Sequence, residues 1–192
     1  MKKHSGLAII LSISLTLSLG LISSCSKNSS VNSSSNMTTG TTLYDSLGGT
    51  TLVADPTKTG ATIEKGRLGI RNVIDSTIFV IAGDPRINAH FAVLLAEVTS
   101  GNLSGFTDLS ENLTTFVSNA TGAKNFTYIG LTMADAHNPA TNPRMTGKAS
   151  NADFDAFVSD LVTGANKNNL PSNLLSSVGK IVESLRTQVV QQ

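Results

Sequence analysis

Apolar residues recur at intervals of three and four in four segments of this 192-residue chain, and that spacing is the strongest constraint on its fold. The first segment runs from Glu64 to Ala82 and is followed by Gly83, a common helix terminator. The second stops at Gly122, and Asp108 with Glu111 three residues later predicts a capping box at its start. Both segments are therefore predicted to form amphipathic helices.

The other two segments lie in the C-terminal third of the chain. One begins at Ser150, with Asp153 in the capping-box position. The last begins near Pro171, a residue favoured in the first turn of a helix, and keeps its apolar spacing to Val189. Four helices are predicted in all.

The segments between these helices are predicted to be loops. Thr50 to Thr62 is rich in Thr, Gly, Pro and Asp, and Asn138 to Gly147 contains two prolines. No stretch shows the sustained alternation of apolar and polar residues that indicates a strand. The predicted class is all-α, in a single domain that spans residues 43–192.

The N-terminus has the three parts of a secretory signal. Lys2 and Lys3 precede a nearly continuous apolar run from Leu7 to Ile22, and two serines then precede Cys25. The sequence up to Cys25 resembles a lipobox, which implies that residues 1–24 are removed and that Cys25 carries a lipid. The alternative is an ordinary signal peptide with a chance cysteine.

Residues 25–42 are predicted to form a lipidated cysteine and a flexible tether. The segment from Ser26 onward is mostly Ser, Asn and Thr and cannot bury enough apolar surface to become ordered. Cys25 is the only cysteine, so the domain has no disulfide and no cysteine nucleophile. The chain is expected to be exported and anchored to a membrane, and serine at position 26 resembles lipoproteins sent to an outer membrane.

Charge and motif content argue against several functions. The net charge is +1 and 14% of residues are charged, so no nucleic-acid footprint or polybasic membrane patch is present. Outside the signal the only histidines are His90 and His137, which excludes a three-histidine zinc site. Neither a Gly-x-Ser-x-Gly elbow nor a phosphate-binding loop occurs. The sequence favours a binding protein over an enzyme, and no catalytic residue is predicted.

Five short motifs occur in an order that resembles the group I truncated haemoglobins. They are LYDSLGG, DPRINAHF, ATG, YIGLTMADAH and NADFDAFVSDLV, and together they extend over most of residues 43–190. The resemblance implies that the four predicted helices are the B, E, G and H helices of a two-over-two helical sandwich around haem. Because no Cys-x-x-Cys-His occurs, the haem would be b-type and held non-covalently.

The resemblance also implies the residues that would hold the haem. His137 matches the proximal histidine, the iron ligand, which closes a Tyr-x-Gly-x-x-Met-x-x-Ala-His pattern. The other expected haem-contacting residues are all apolar: Ile78, Phe91, Leu109, Leu113, Phe116 and Met133.

The distal positions depart from the family pattern. Group I proteins commonly place tyrosine and glutamine over the bound gas, whereas this chain has Ile78, Leu109 and Leu113. Without those hydrogen-bond donors, a bound polar ligand loses on the order of 1–3 kcal/mol of stabilisation. The resulting pocket favours carbon monoxide or nitric oxide over oxygen. Two insertions, Thr50 to Gly69 and Asn138 to Arg144, also depart from the pattern.

Several alternatives follow from the same residues. His137 could be an ordinary histidine at a helix end, bonded to a nearby carbonyl, and His90 could be a solvated residue or a sixth iron ligand. The expected function is to bind a diatomic gas (oxygen, nitric oxide or carbon monoxide) or to transfer electrons outside the cytoplasm. The alternatives are a haem-free interaction module and a lipoprotein that captures haem and hands it on.

Overall fold

A computed structural model describes residues 40–192 of the chain. The predicted signal peptide, Cys25 and the predicted tether up to residue 39 lie outside the described residues. The described residues belong to one compact unit.

Eight α-helices and one short hairpin make up the described part of the chain. They are α1 (Leu43–Ser46), β1 (Leu52–Ala54), β2 (Thr62–Glu64), α2 (Lys65–Gly83), α3 (Ala92–Thr99), α4 (Ser104–Ala120), α5 (Met133–Ala136), α6 (Asn151–Lys167), α7 (Ser172–Glu183) and α8 (Arg186–Val189), with a 3₁₀ turn at Asn88–Phe91 before α3. Helix α2 packs against both α4 and α6, and α6 packs against α7. The all-α, two-over-two arrangement predicted from the sequence is confirmed.

Helices α2 and α6 begin where their sequences predict. Helix α2 starts one residue after the predicted Glu64 and buries Ile74, Ile78 and Ile81. At the start of α6 the Ser150 hydroxyl accepts a hydrogen bond from the Asp153 amide at 3.2 Å. The Asp153 carboxylate accepts one in return from the Ser150 amide at 2.7 Å, which completes the predicted capping box.

The predicted cap of α4 at Asp108 is wrong by five residues, because the observed N-cap is Leu103. The helix begins at Ser104, and the side chain of Asn102 accepts a hydrogen bond from the Ser104 amide at 3.1 Å. Glu111 forms an ion pair with Arg67 of α2 instead of closing a capping box. The extra turn forms because Gly105 is buried and Phe106 packs against Phe79 of α2, with ring centroids 5.4 Å apart.

The last predicted helix is divided in the structure. Helix α7 ends at Glu183, and α8 begins at Arg186. The guanidinium of Arg186 contacts both Glu183 and Asp155 of α6, at 2.6 and 2.8 Å, so α8 is attached to α6 by a contact that helical spacing does not reveal.

The segment predicted as loop between Thr50 and Thr62 contains a hairpin. Strands β1 and β2 pair antiparallel, with Val53 opposite Ile63. Each strand has three residues, which is too short for alternation to be visible in the sequence. Asp55 at the end of β1 pairs with Arg71 of α2 at 2.8 Å, and so the hairpin is fixed to that helix.

The crossing of α2 and α6 depends on a glycine. A Cβ atom at Gly164 would lie 2.8 Å from the backbone nitrogen of Thr77, closer than side chains tolerate. The two helices therefore approach closely only because position 164 has no side chain.

An ionic turn, in which Asp84 is buried and the Arg86 side chain is 55% exposed, follows α2 and leads to His90 and Phe91. Asp84 accepts hydrogen bonds from the guanidinium of Arg86 and from its backbone amide at 2.9 Å, and these bonds hold the pKa of Asp84 below its usual range. Arg86 also reaches Asp160 of α6 at 3.4 Å. Burial, followed by the charge of Asp84, raises the pKa of Asp160.

None of the helices in residues 40–192 is long and apolar enough to cross a membrane by itself. Helix α2 and the Asn88–Thr99 segment satisfy the length and composition requirements only together, across a bend of 108°.

Candidate functional site

His137 lies at the C-terminal end of α5 with one ring nitrogen fixed and the other available. Its Nδ1 lies 2.8 Å from the carbonyl oxygen of Met133. Because a carbonyl can only accept, Nδ1 carries the proton and Nε2 keeps its lone pair. Nε2 makes no hydrogen bond with any described residue. Metal-ligating histidines commonly donate their second nitrogen in this way, which fits the predicted role of His137.

The surroundings of His137 keep the imidazole neutral. Burial lowers its pKa, the hydrogen bond to Met133 opposes that shift, and the charge of His90 adds to the lowering. A folded-state pKa below the ordinary value means that the neutral form, the one with a free lone pair, predominates at pH 7.

Helix α5 has only four residues, so its position depends on contacts at its ends. The side chain of Thr132 accepts a hydrogen bond from the Asp135 amide at 3.1 Å, which caps the N-terminus. The amide group of Gln191 donates to the carbonyl of Ala134 at 2.7 Å. The backbone amide of Gln191 donates to the carbonyl of Ala149, and the side-chain amide of Gln192 donates to the carbonyl of Lys148. These two contacts attach the same C-terminal residues to the segment that precedes α6.

The insertion that follows His137 folds back onto α5. Thr141 donates its hydroxyl to the carbonyl of Asp135, and Asn142 donates its side-chain amide to that of Ala136, both at 2.7 Å. These carbonyls lie in the last turn of α5, where helical partners are lacking, and the Asp135 carbonyl also accepts a hydrogen bond from the Asn138 amide at 3.3 Å. The inserted residues therefore supply the C-terminal cap of the helix that carries His137.

His90 holds the end of this insertion and is not the solvated residue considered from the sequence. Its side chain is 16% exposed. Nδ1 lies 2.6 Å from the carbonyl oxygen of Thr146, and Nε2 lies 3.3 Å from Asp153 at the start of α6. Both ring nitrogens are engaged, so the geometry gives no support to His90 as a sixth iron ligand. Its partner Thr146 is 56 residues away, which is why the sequence alone did not reveal the contact.

The three predicted distal residues lie together between α2 and α4. Ile78 is buried, and Leu109 and Leu113 pack against the same core cluster. The members of that cluster are Tyr44, Ile70, Ile74, Ile78 and Ala123. None of the three predicted side chains carries a hydrogen-bond donor, so this surface excludes water without selecting a polar ligand.

Phe91 and Phe116 are not among the residues that pack against this cluster. Phe91 packs against the second core cluster, which contains Ile81, Ile87 and Ala156. Phe116 meets the ring of Tyr128 edge to face, with centroids 5.3 Å apart. Tyr128 was not predicted as a site residue, although it precedes α5 and donates its hydroxyl to the carbonyl of Leu131 at 2.9 Å.

The predicted site residues therefore fall into two groups. One contains His137 and Met133 on α5, and the other contains the apolar residues of α2, α4 and the 3₁₀ turn. No hydrogen bond or ring contact joins the described residues of one group directly to those of the other. Ile78 and Leu113 also line an apolar cavity of about 360 Å³ between α2, α4, α6 and α7, which His137 does not line.

The helical arrangement is that of the truncated globins. The chain is similar to two solved structures of the truncated haemoglobin of Tetrahymena pyriformis, both of variants in the Fe(III) form. Each has a TM-score of 0.55 and 16% sequence identity, and covers 79% of this chain and 99% of the other. The chain thus has a truncated-globin fold. No protein-family model and no curated protein matches the sequence.

Proposed function

We propose that the domain binds b-type haem through Nε2 of His137, and that it binds a diatomic gas or transfers electrons outside the cytoplasm. The observation that carries the proposal is the state of the imidazole, which is neutral, with Nδ1 fixed to the Met133 carbonyl and Nε2 free. The truncated-globin fold supports it, because the similar Tetrahymena pyriformis structures are of a truncated haemoglobin in the Fe(III) form.

The residues present fit such a cofactor. His137 would hold the iron, and the half-buried side chains of Leu109, Leu113 and Phe116 would supply apolar surface for the porphyrin. When bound, haem supplies an exchangeable coordination position and one-electron redox chemistry. The Met133 carbonyl orients the imidazole, and the apolar layer excludes water. No donor among Ile78, Leu109 and Leu113 would favour oxygen over carbon monoxide or nitric oxide.

Absorbance spectra test the haem proposal directly. The chain from Ser26 onward is mixed with haemin, and ferric, ferrous and carbon-monoxide spectra are recorded. We expect a sharp Soret band that shifts with carbon monoxide and is lost in His137→Ala. The control is Ile129→Ala, because that side chain is 93% exposed and its loss should leave the band unchanged. An intact spectrum in His137→Ala would contradict the assignment.

The same measurement separates the two alternatives. A folded, helical chain that takes up no haemin would indicate a haem-free interaction module. Rapid loss of bound haem to apomyoglobin would indicate a lipoprotein that captures haem, whereas retention over hours would count against it.

Export and anchoring through Cys25 form the second part of the proposal. Their support is the order of charged, apolar and small residues in the first 25 positions. Cells that express the full chain are supplied with labelled palmitate. We expect label on the full chain and none on Cys25→Ser; equal labelling of both would contradict lipidation at this residue.

A further inference from the structure

Helix α3 turns an apolar face away from the rest of the domain. Leu94 is its only buried residue, and the helix packs against α4 and the 3₁₀ turn. Its only charged residue, Glu97, lies on the same side as Leu94 and pairs with Arg144 of the insertion at 2.6 Å. The other six residues cover the remaining circumference and are called the α3 face: Ala92, Val93, Leu95, Ala96, Val98 and Thr99.

The composition of the α3 face is unusual for a helix at a surface. The outward side of such a helix normally carries charged and polar residues, whereas Thr99 is the only polar residue here. Val93 and Val98 are each 39% exposed, and Leu103, which follows the helix, is 57% exposed. A contiguous apolar surface of this kind marks a contact with a protein or a membrane.

The length of the chain before the domain indicates which contact is available. If Cys25 carries a lipid, the segment from Ser26 to Thr42 joins the domain to a bilayer. Fully extended, that segment would span at most about 60 Å. A domain of about 150 residues is about 40 Å across, so any of its faces can reach the lipid surface. The face with the largest apolar area and the least charge then has the lowest cost of contact with lipid.

We propose that the α3 face docks on the bilayer to which Cys25 is anchored, with Val93, Val98 and Leu103 in contact with the lipid. This inference rests on the anchoring part of the proposed function. A tether of this length gives an effective concentration in the millimolar range, so a weak contact is sufficient. From Ile87 to Ala123 the sequence contains no lysine or arginine, so docking depends on apolar burial and not on anionic lipid.

Tryptophan fluorescence tests the docking, because the chain contains no tryptophan of its own. The chain from Cys25 onward is coupled through its thiol to a maleimide lipid in phosphatidylcholine vesicles. The coupling replaces cellular lipidation, so the result does not depend on whether Cys25 is modified in cells. Bromine atoms on the acyl chains should quench Val93→Trp at least about twofold, because the introduced ring enters the lipid.

The matched control for this probe is Val162→Trp. Val162 is also 39% exposed but lies on α6, outside the α3 face, and its quenching should stay below about 1.2-fold. No quenching of Val93→Trp, or equal quenching of both probes, would overturn the proposal.

A second substitution distinguishes apolar docking from the alternatives. Added to Val93→Trp, Leu103→Glu should remove at least about half of the quenching, and Val162→Glu should leave it unchanged. Raising the salt from about 50 to about 500 mM should also leave it unchanged, and a loss would indicate electrostatic binding instead. Without vesicles, the chain from Ser26 onward should sediment as a monomer. A dimer that Leu103→Glu dissociates would show that a second copy covers the face and would overturn the proposal.

Discussion

The two regions of the candidate site are held by different forces. His137, α5 and the following insertion are fixed by hydrogen bonds, whose partners include Met133, Thr141 and Asn142. Ile78, Leu109 and Leu113 are fixed by apolar packing between α2 and α4. Hydrogen bonds are directional and set the position of a single atom, whereas packing sets the shape and dryness of a volume.

This difference suggests a division of function within the domain. A metal ligand must present one nitrogen in one direction, and the hydrogen-bonded region does this for Nε2 of His137. An apolar wall must exclude water over an area, and several combinations of aliphatic side chains can do so. We therefore expect substitutions in the apolar layer to change stability and ligand preference, and substitutions near α5 to change local order.

The largest effect on stability is expected from shortening Ile78. Ile78→Ala leaves a cavity in the α2 and α4 layer and should lower the free energy of unfolding by about 2–5 kcal/mol. Urea unfolding followed by circular dichroism measures this change. Ile129→Ala is the control, because that side chain is 93% exposed and its loss should cost less than about 0.5 kcal/mol. Equal costs would mean that the layer does not stabilise the fold.

A new donor in the same layer should change ligand preference. In the haem-bound protein, Leu109→Gln offers an amide hydrogen to a bound polar gas. The new hydrogen bond should stabilise that bound gas by about 1–3 kcal/mol. Oxygen dissociation should slow by roughly 5- to 150-fold, while carbon monoxide dissociation changes little. Stopped-flow measurement of both rates tests this. Slowing of both gases by the same factor would indicate a steric effect.

Removing His90 should loosen the insertion without unfolding the domain. His90→Ala deletes the contacts to Thr146 and Asp153, and amide exchange in residues 138–148 should accelerate by on the order of tenfold. Hydrogen–deuterium exchange with mass spectrometry measures each segment, and α2 serves as the internal reference. Unchanged exchange in residues 138–148 would show that His90 does not hold the insertion.

The smallest effect is expected from acid titration of Asp153. Hydrogen bonds from Ser150, followed by the interaction with His90, hold the pKa of Asp153 below its usual range. Its contribution to stability is therefore present above about pH 4 and lost as the pH falls through the lower folded-state pKa. The free energy of unfolding falls as the pH is lowered, and in Asp153→Asn this decrease should be smaller by about 1 kcal/mol or less. Identical pH dependence of the two proteins would contradict this linkage.

The parts of the fold that the sequence predicted are those that local interactions determine. Helix α2 is indicated by its apolar spacing, and α6 by the capping box of Ser150 and Asp153. The class of the fold followed from those signals and from the order of the five motifs.

The parts that the sequence did not predict depend on distant contacts. The start of α4 is set by packing against α2, and the break before α8 by the pairing of Arg186 with Asp155, 31 residues away. The hairpin was missed because three-residue strands leave no periodic signal. At the site, His137 was identified only through the family resemblance, and the two partners of His90 were not foreseen because both lie in a later segment.

The hydrogen bond from Gln191 to Ala134 has a consequence for the order of folding. It joins residues 57 positions apart, and α5 is too short to be stable before such contacts form. The entropy cost of closing this long loop must be met before the Gln191 contact can stabilise α5. We therefore expect α5 to form after the larger helices have assembled. We expect His137 to reach its final position late, with cofactor uptake following the assembly of the domain rather than nucleating it.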